Sequence, residues 1–277
     1  MKLKVTIKDL CEKTGMSHQN YYKGHKARKK KQADSNWIKQ MVMRERSQQT
    51  RLGGKKLYEM LKSAMRKAGI DVGRDIFLQA YKNERLALKP LRRKPRTTNS
   101  RHRMPVFPNQ FKDMDLTAPD QVWVSDITYI STDQGFLYLS LITDAWSRKI
   151  VGFHGGDTLE TQGCLTALNK ALRGLKRKQK PVHHSDRGCQ YCSNMYVEKL
   201  LKNGLKISMT EKNHCAENAM AERLNGILKQ EYGLGYQFRT KAQALRAIQQ
   251  AVQLYNTRRP HLALKYKTPE EVHRTAA

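Results

Sequence analysis

Long apolar segments are missing from this 277-residue sequence, and acidic residues are scarce in it. No stretch approaches the roughly 18 apolar residues of a membrane-spanning helix, and no signal peptide opens the chain. A lipidation signal and a long basic amphipathic helix are also missing, which disfavours binding to an anionic membrane surface. These absences predict a soluble cytoplasmic protein without a membrane partner.

The sequence has only five cysteines, which are an odd number and are irregularly spaced. Reduced thiols are therefore expected. Cys189 and Cys192 form one Cys-x2-Cys pair with histidines nearby, but no second pair follows at zinc-finger spacing. Zinc binding stays a minor alternative.

The scarcity of acids leaves a large positive charge. The chain has 53 Lys and Arg against 24 Asp and Glu, a net charge of +29. Residues 1–104 contain 29 and 8 of these (29 − 8 = +21), and residues 105–277 contain 24 and 16 (24 − 16 = +8). Such an excess repels itself unless a polyanion neutralises it, so a nucleic-acid partner is expected, mainly at the N-terminal part.

Residues 1–31 are predicted to form a helix-turn-helix-like module with a basic linker. A short helical segment ends at Gly15, and Ser17 is placed to cap a second helix. The second helix of such a unit can enter a DNA major groove, although a helical hairpin used only for packing has the same pattern. The Lys- and Arg-rich run over 23–31 predicts an exposed linker.

Residues 32–90 are predicted to form a second helical DNA-binding module. Apolar residues recur there at helical spacing, and glycines near residues 53 and 69–73 separate three helices. Residues 91–118 are predicted to be a basic linker, which can follow a DNA backbone without reading its sequence.

After residue 119 the periodicity changes to short apolar and aromatic runs. Three runs over 122–130, 136–143 and 149–154 predict an antiparallel meander, and 181–185 and 205–209 predict two further strands. Helices are predicted over 159–175, 194–203 and 216–232. The order βββαβαβα predicts an α/β catalytic core over 119–235, with a mixed five-stranded sheet flanked by helices. Residues 236–277 are predicted to form a C-terminal helix, at about 241–255, and a basic tail.

Three acids stand at the edges of these core elements. Asp126 lies in the first strand, Asp186 at the exit of the fourth, and Glu222 on the last core helix, with intervals of 59 and 35 residues between them. Strands one and four can be neighbours in such a sheet, which would bring the two aspartates together. Adjacent carboxylates repel unless a proton or a cation lies between them. Oxygen ligands with open positions suit Mg²⁺ or Mn²⁺, and two such ions can act on a phosphodiester.

The helix around Glu222 carries further polar residues on the same face. Glu222 and Lys229 are seven residues apart, nearly two turns, and Asn218 and Asn225 lie on almost the same side. Lys229 is predicted to hold a DNA phosphate. An ordinary solvated lysine would show the same spacing.

Motifs spread over about residues 105–273 resemble those of a known family. They are Trp123-Val-Ser-Asp126-Ile-Thr-Tyr129, Ser147-Arg-Lys-Ile-Val-Gly152, His184-Ser-Asp186-Arg-Gly188, Asn218…Glu222-x6-Lys229 and Tyr255-Asn-Thr-Arg-Arg-Pro-His261. The set resembles the DDE transposases and retroviral-type integrases, and more narrowly the second-frame proteins of the bacterial insertion sequence three family. One departure from the retroviral relatives is that helix-turn-helix units replace a paired His and Cys zinc module at the N-terminus.

The resemblance implies a ribonuclease-H-like core preceded by helix-turn-helix modules. It implies two divalent ions held by Asp126, Asp186 and Glu222, DNA cleavage by water at element ends, and transfer of the freed 3′-hydroxyl to target DNA. No covalent protein–DNA link is then required. It also implies double-stranded DNA as the partner, a homo-oligomer in the DNA complex, and a cytoplasmic, nucleoid-associated location in a prokaryote. Whether the chain acts alone or in fusion or association with an upstream-frame protein stays open.

Further site residues are predicted beside this triad. Predicted DNA contacts, besides Lys229, are Asn218, Arg187, Arg258 and Arg259. Asp144 and Asn218 also match family positions and are interpreted as support for the metal ligands. The motif over 255–261 is expected either to pack against the core or to grip DNA. Two other classes remain as alternatives: a catalytically inactive DNA-binding regulator, and a nuclease on the same fold that cuts without joining.

Overall fold

A computed structural model of the chain describes residues 6–88, 104–112, 114–176, 178–211 and 218–275. The chain divides into two compact units. Unit 1 comprises residues 1–48 and 53–88, and unit 2 comprises residues 49–52 and 89–277. Within the described ranges, no helix combines the length and the apolar character needed to cross a membrane.

Unit 1 is helical, as predicted. Its helices are α1 (Ile7–Thr14), α2 (His18–Gln48), α3 (Gly54–Lys67) and α4 (Arg74–Asn83). Thr6 and Asp9 cap the start of α1 reciprocally, and Gly15 ends it in the left-handed conformation, with φ of 66°. The Ser17 hydroxyl accepts a hydrogen bond from the Asn20 amide at 3.2 Å, which confirms Ser17 as the cap of the second helix.

The basic run over 23–31 differs from the expected linker because it lies inside α2. This 31-residue helix continues without a break to Gln48, so no boundary between two modules falls at residue 31. Lys, Arg and Ala, which make up most of the run, are good helix formers, and the run contains no proline. Its long cationic side chains are exposed to solvent along the first half of the helix. The predicted linker is therefore a charged, solvated helix.

The second half of α2 packs with α3 and α4 around an apolar core. The buried residues of this core include Ile38, Val42, Leu57, Leu61, Met65, Phe77 and Tyr81. Burying each such side chain contributes about 1.5–3 kcal/mol, so the core anchors this half of α2.

Unit 2 contains the predicted mixed sheet. Its strands are β1 (Val122–Thr132), β2 (Gly135–Asp144), β3 (Ile150–Gly156), β4 (Val182–Ser185) and β5 (Lys206–Met209), in the spatial order β3-β2-β1-β4-β5. β1, β2 and β3 pair antiparallel, whereas β4 pairs parallel with both β1 and β5. The five-stranded α/β sheet confirms the predicted fold class, and β1 is central, as expected for the strand with Asp126.

Helices cover both faces of the sheet. They are α5 (Thr161–Gly174), α6 (Cys189–Cys192), α7 (Asn194–Lys202), α8 (Ala219–Glu231), α9 (Lys241–Arg258) and α10 (Pro269–Thr275), with a 3-10 turn at Leu262–Leu264. One core joins the sheet to α5 and α7, and the other joins it to α8 and α9. The four-residue α6 and the final α10 were missed by the sequence prediction.

Side-chain alternation along β1 decides which face each residue serves. Trp123 and Ile127 pack into the core beside α5 and α7. Val124 packs in a cluster with Ala221 of α8, and Ile130 lies in the α8–α9 core. Since successive side chains of a strand alternate between faces, Asp126 shares the face of Val124 and points toward α8.

The predicted linker over 91–118 falls partly outside the described residues. Its second part differs from a linker, because apolar side chains there pack on unit 2. Phe107 lies against the α5–α7 core, and Phe111 lies against a cluster around Val122 and packs on the His184 ring at 5.3 Å between ring centroids. This part of the chain belongs to the core because its apolar residues find buried surface there.

A buried histidine of β4, His183, contacts both β1 and α7. His183 Nε2 lies 2.7 Å from the Ser125 hydroxyl and 2.9 Å from the Tyr196 hydroxyl. Burial lowers the pKa of His183 to about 3, because the imidazolium would lose its hydration there.

We expect His183 to make unit 2 acid-labile. Its folded pKa lies below the unfolded value of about 6.5, so the unfolded chain binds more protons and stability falls as pH drops below 6.5. The thermal midpoint should decrease by roughly 4–8 °C between pH 7 and pH 5 from this group alone. His183→Gln should flatten that pH dependence, measured by circular dichroism melts. His18→Gln, at an exposed site on α2, is the matched control. An unchanged slope in His183→Gln would contradict the prediction.

Candidate active site

The parallel pairing of β1 with β4 places Asp126 and Asp186 side by side. Val122 pairs with Val182 and the register continues to Ser125 with Ser185, so Asp126 of β1 and Asp186, the first residue after β4, both directly follow the last pair. Neighbouring strands lie about 4.8 Å apart. The structure thus brings together two carboxylates with 59 residues between them in the sequence.

Asp126 is held by two hydrogen-bond donors. The Ile127 amide donates to its Oδ1 at 2.9 Å, and the Asn225 side-chain amide donates to its Oδ2 at 2.7 Å. The pKa of Asp126 is nevertheless raised to about 7, first by burial and then by the neighbouring Asp186 carboxylate. Lys229 opposes this rise, so its positive charge also acts at Asp126. A carboxylate that is buried beside another negative charge is stabilised by a proton or a cation.

Asp186 is oriented by the loop that follows β4. The Gly188 amide donates to Asp186 Oδ1 at 3.0 Å, and a Cβ on Gly188 would lie only 3.1 Å from that oxygen. Glycine therefore permits the close approach. Arg187 lies between these two residues, and its Nε donates to the Thr210 carbonyl at 2.6 Å. This hydrogen bond connects the loop to the end of β5.

Helix α8 turns one polar face toward β1. The Asn218 amide, at the start of the helix, donates to the Ser125 carbonyl at 3.2 Å, and Asn225 donates to Asp126. Glu222 lies four residues after the first asparagine and three before the second, so it shares their face. Glu222 and Lys229 are both half-buried. The helix therefore presents its glutamate and its lysine on the side where the aspartates meet.

Two buried amide oxygens on this face have no protein partner among the described residues. They are Asn218 Oδ1 and Asn225 Oδ1. Buried acceptors are costly to leave unpaired, so a donor such as metal-bound water is expected beside them. Their position on either side of Glu222 adds polar character to the same face.

The two predicted arginine contacts of the C-terminal motif differ from each other. Arg258 is half-buried, and its DNA contact stays a prediction. The Arg259 side chain is only 3% exposed and is paired with Glu231. The sequence could not separate these adjacent arginines, because the pairing depends on a residue 28 positions away.

A second acidic group lies elsewhere in unit 2 and was missed by the sequence prediction. Among the residues that the structure describes, Asp120, Asp144 and His273 form the group of potential ligands whose atoms all lie within 4.8 Å of one another. The predicted triad is more open than this. Asp144 accepts hydrogen bonds from the Ser147 amide and hydroxyl and from the Asp120 amide, and Trp123 donates to Asp120. These contacts show how Asp144 shapes the turn after β2; its support of the metal ligands stays a prediction.

The cysteine pair shows no sign of the minor zinc alternative in the described part of the chain. Cys192 is buried with its sulfur 3.7 Å from the Met209 sulfur, and neither Cys189 nor Cys192 belongs to a group with metal-ligand spacing. Cys215 lies outside the described residues.

Matches to known families agree with this arrangement. Residues 117–215 match a family described as an integrase core domain, and residues 203–269 match a second family of the same description. These ranges include the sheet from β1 onward, both aspartates and α8. The mixed sheet, the paired aspartates and the integrase core define a DDE-type polynucleotidyl transferase.

Relatives narrow this class further. The chain is 35% identical to an uncharacterized 31 kDa protein of insertion element IS600 from Shigella sonnei, over 97% of this chain and 100% of that protein. It is 36% identical to the transposase of IS629 from Shigella sonnei, over 65% of this chain and 60% of the relative. It is 39% identical to the transposase InsF of IS3A from Escherichia coli K12, over 47% and 46%. The chain belongs to the insertion sequence three family of transposases.

Solved structures show a partial likeness. The magnesium-bound HTLV-2 integrase catalytic core domain has 19% identity and a TM-score of 0.44, over 57% of this chain and 97% of that one. A simian T-cell lymphotropic virus intasome chain has 17% identity and a TM-score of 0.49, over 80% and 74%. Both TM-scores are below 0.5, so the fold assignment depends on the sheet order and the family matches.

Proposed function

We propose that Asp126, Asp186 and Glu222 bind two divalent ions, Mg²⁺ or Mn²⁺, and that the protein cuts DNA at its element ends. The freed 3′-hydroxyl is then joined to target DNA. The observation that supports this most directly is that Asp126 and Asp186 each directly follow the last paired residues of two parallel strands, Ser125 and Ser185, and that the Asp186 charge acts on Asp126. Few structural roles require two like charges side by side, whereas a metal site does.

The residues present fit divalent ions. The donors are carboxylate oxygens, which Mg²⁺ and Mn²⁺ prefer. The raised pKa of Asp126 marks a site short of positive charge, and the two unpartnered amide oxygens of Asn218 and Asn225 offer acceptors for metal-bound water. When bound, such ions would stabilise the charge that develops on the phosphodiester oxygens and activate the attacking hydroxyl or water.

The protein groups have separate tasks in this proposal. Ile127 and Asn225 orient the Asp126 carboxylate, and Gly188 orients that of Asp186. Lys229 supplies positive charge close to Asp126 and holds a DNA phosphate near the scissile bond. Positioning and preorganised charge of this kind account for most of the rate enhancement in phosphoryl transfer.

The partners proposed are double-stranded element ends and target DNA. Joining two ends to one target calls for at least two copies of the chain, so we propose a homo-oligomer in the DNA complex. From the family membership we further propose a nucleoid location in a prokaryote, with the chain acting either alone or in association with an upstream-frame protein. The excess of basic residues over 1–104 supplies the electrostatic attraction.

A labelled element-end duplex, incubated with purified protein and Mg²⁺, tests the proposal. We expect both cleaved and joined products on a gel, and neither when the divalent ion is chelated. Cleavage without joining would support the nuclease alternative instead. Binding with no chemistry in Mg²⁺ or Mn²⁺ would contradict the enzyme and leave the regulator.

A further inference from the structure

The motif over 255–261 braces the helix that carries Glu222. Arg259 reaches the far end of α8, where its Nε and Nη2 donate to the two carboxylate oxygens of Glu231 at 2.8 and 2.9 Å. Its Nη1 lies 2.8 Å from His261 Nε2. The Arg259 and Glu231 side chains are 3% and 16% exposed. A two-bond arginine–carboxylate pair fixes orientation as well as distance.

The same motif is fastened to the sheet. The Asn256 side chain accepts from the Ile150 amide and donates to the Ile150 carbonyl, each at 2.9 Å. The Tyr255 hydroxyl donates to the Arg148 carbonyl at 3.0 Å. The start of β3 and the turn before it therefore hold the end of α9 in place. Arg259 extends from this fixed point.

Aromatic side chains pack around Arg259 and restrict the movement of its guanidinium away from Glu231. Its guanidinium lies 5.8 Å from the centroid of the Tyr255 ring, and that ring meets His261 edge-on at 5.1 Å between centroids. Tyr255 is itself buried in the α8–α9 core. Removing Arg259 would leave the half-buried Glu231 carboxylate without its paired charge, which is strongly unfavourable.

We propose that Arg259 is a positioning residue that sets the placement of Glu222 and Lys229 through Glu231. Helix α8 is attached to the frame of unit 2 by its buried apolar side chains, by Asn218 at its start, by Asn225 through Asp126, and at its end by Glu231 through Arg259. Glu231 lies nine residues after Glu222, or roughly 13 Å along a helix that rises 1.5 Å per residue. The contact of Glu231 with Arg259 fixes the C-terminal end of the helix. Without it, this end is held less firmly, and the placement of the glutamate and the lysine is less exact.

This role competes with the DNA contact predicted for Arg259 from sequence. A phosphate would have to displace Glu231 from a buried two-bond pair with Arg259, which is unfavourable. The two roles predict opposite responses to salt. A phosphate contact contributes about one unit to the slope of log binding constant against log salt concentration. A buried arginine–carboxylate pair within the protein contributes nothing to this slope.

The test uses full-length Arg259→Gln, Glu231→Gln and the double variant. We expect faster amide hydrogen exchange in α8 for each of them, with the double variant no worse than the single ones. The affinity for element-end DNA and its salt slope should stay at wild-type values. Single-turnover cleavage should fall about 10- to 100-fold, the usual effect of a displacement near 1 Å. Arg246→Gln, an exposed arginine on α9, is the matched control and should leave exchange in α8 unchanged.

Wild-type exchange in α8 for Arg259→Gln, or a salt slope reduced by about one, would overturn the proposal. If Arg259→Gln fails to fold, Arg259→Lys keeps the charge but not the two-bond pair, and Glu231→Gln tests the same contact from the other side. Only the expected loss of cleavage depends on the proposed catalytic role of Glu222. Cleavage unaffected by Glu222→Gln would refute the proposed function, while hydrogen exchange and the salt slope would still decide the brace.

Discussion

Replacing Asp126 by asparagine should abolish DNA cleavage and joining, with a loss of at least about 10³-fold, while end binding persists. The amide keeps the size of the carboxylate but removes one of the two charges that β1 and β4 bring together. Losing a ligand charge at a catalytic metal site removes several kcal/mol of transition-state stabilisation. Gel assays of cleavage, alongside fluorescence anisotropy of the labelled end, measure the two effects separately.

The same substitution should lower activity without lowering the thermal stability of the protein. The folded pKa of Asp126 is raised to about 7, so between 3.8 and 7 the native state holds the extra proton and stability falls as pH rises. At pH 8 without divalent ions, Asp126→Asn should therefore unfold at the same temperature as the wild type or higher. Mg²⁺ should raise the wild-type midpoint and not that of the variant. Asp133→Asn, in the exposed turn after β1, is the matched control and should leave cleavage intact. Retained cleavage in Asp126→Asn would contradict the site.

Removing residues 1–104 should weaken end binding by about 10²- to 10⁴-fold near 0.1 M salt and flatten its salt dependence. This part of the chain carries 29 of the 53 Lys and Arg residues and a net charge of +21. Each phosphate neutralised releases counterions, so affinity and salt slope fall together when these charges are lost. Titrations of the labelled end at several salt concentrations give both quantities.

Circular dichroism must show that residues 105–277 keep their sheet, so that weaker binding is not read from an unfolded chain. A duplex of unrelated sequence is the matched control. If the N-terminal helices read the element end, the preference for that end over the unrelated duplex should shrink in the truncated chain. Equal affinity and equal salt slope with and without residues 1–104 would contradict the prediction.

Local patterns in the sequence were sufficient for most of the elements of unit 2. Apolar alternation predicted the five strands to within a few residues, and glycine and Ser17 predicted the break between α1 and α2. The basic run over 23–31 was misjudged because its composition suits both a linker and a solvated helix. Only the continuation of α2 into the packed core at Ile38 and Val42 distinguishes the two.

The members of the candidate site could be proposed from the sequence, whereas the contacts that hold them could not. Asp126, Asp186 and Glu222 could be chosen because each stands at the edge of an apolar run. The donor to Asp126, Asn225, is 99 positions away, and its hydrogen bond exists only once α8 lies against β1. His273 and Ser147 are 126 positions apart, and nothing in either local sequence indicates their contact.

By itself, the sequence determined the order of the elements in unit 2, the proposed acidic set and the uneven distribution of positive charge. Periodicity and composition are properties of neighbouring residues, so they can be recognised without the fold. Tertiary structure alone decided that Asp126 points toward α8, that Asp186 lies beside it, and that Arg259 is buried while Arg258 is half-exposed. Burial and pairing depend on partners distant in the chain, and two adjacent arginines with identical chemistry differ only in which of them faces Glu231.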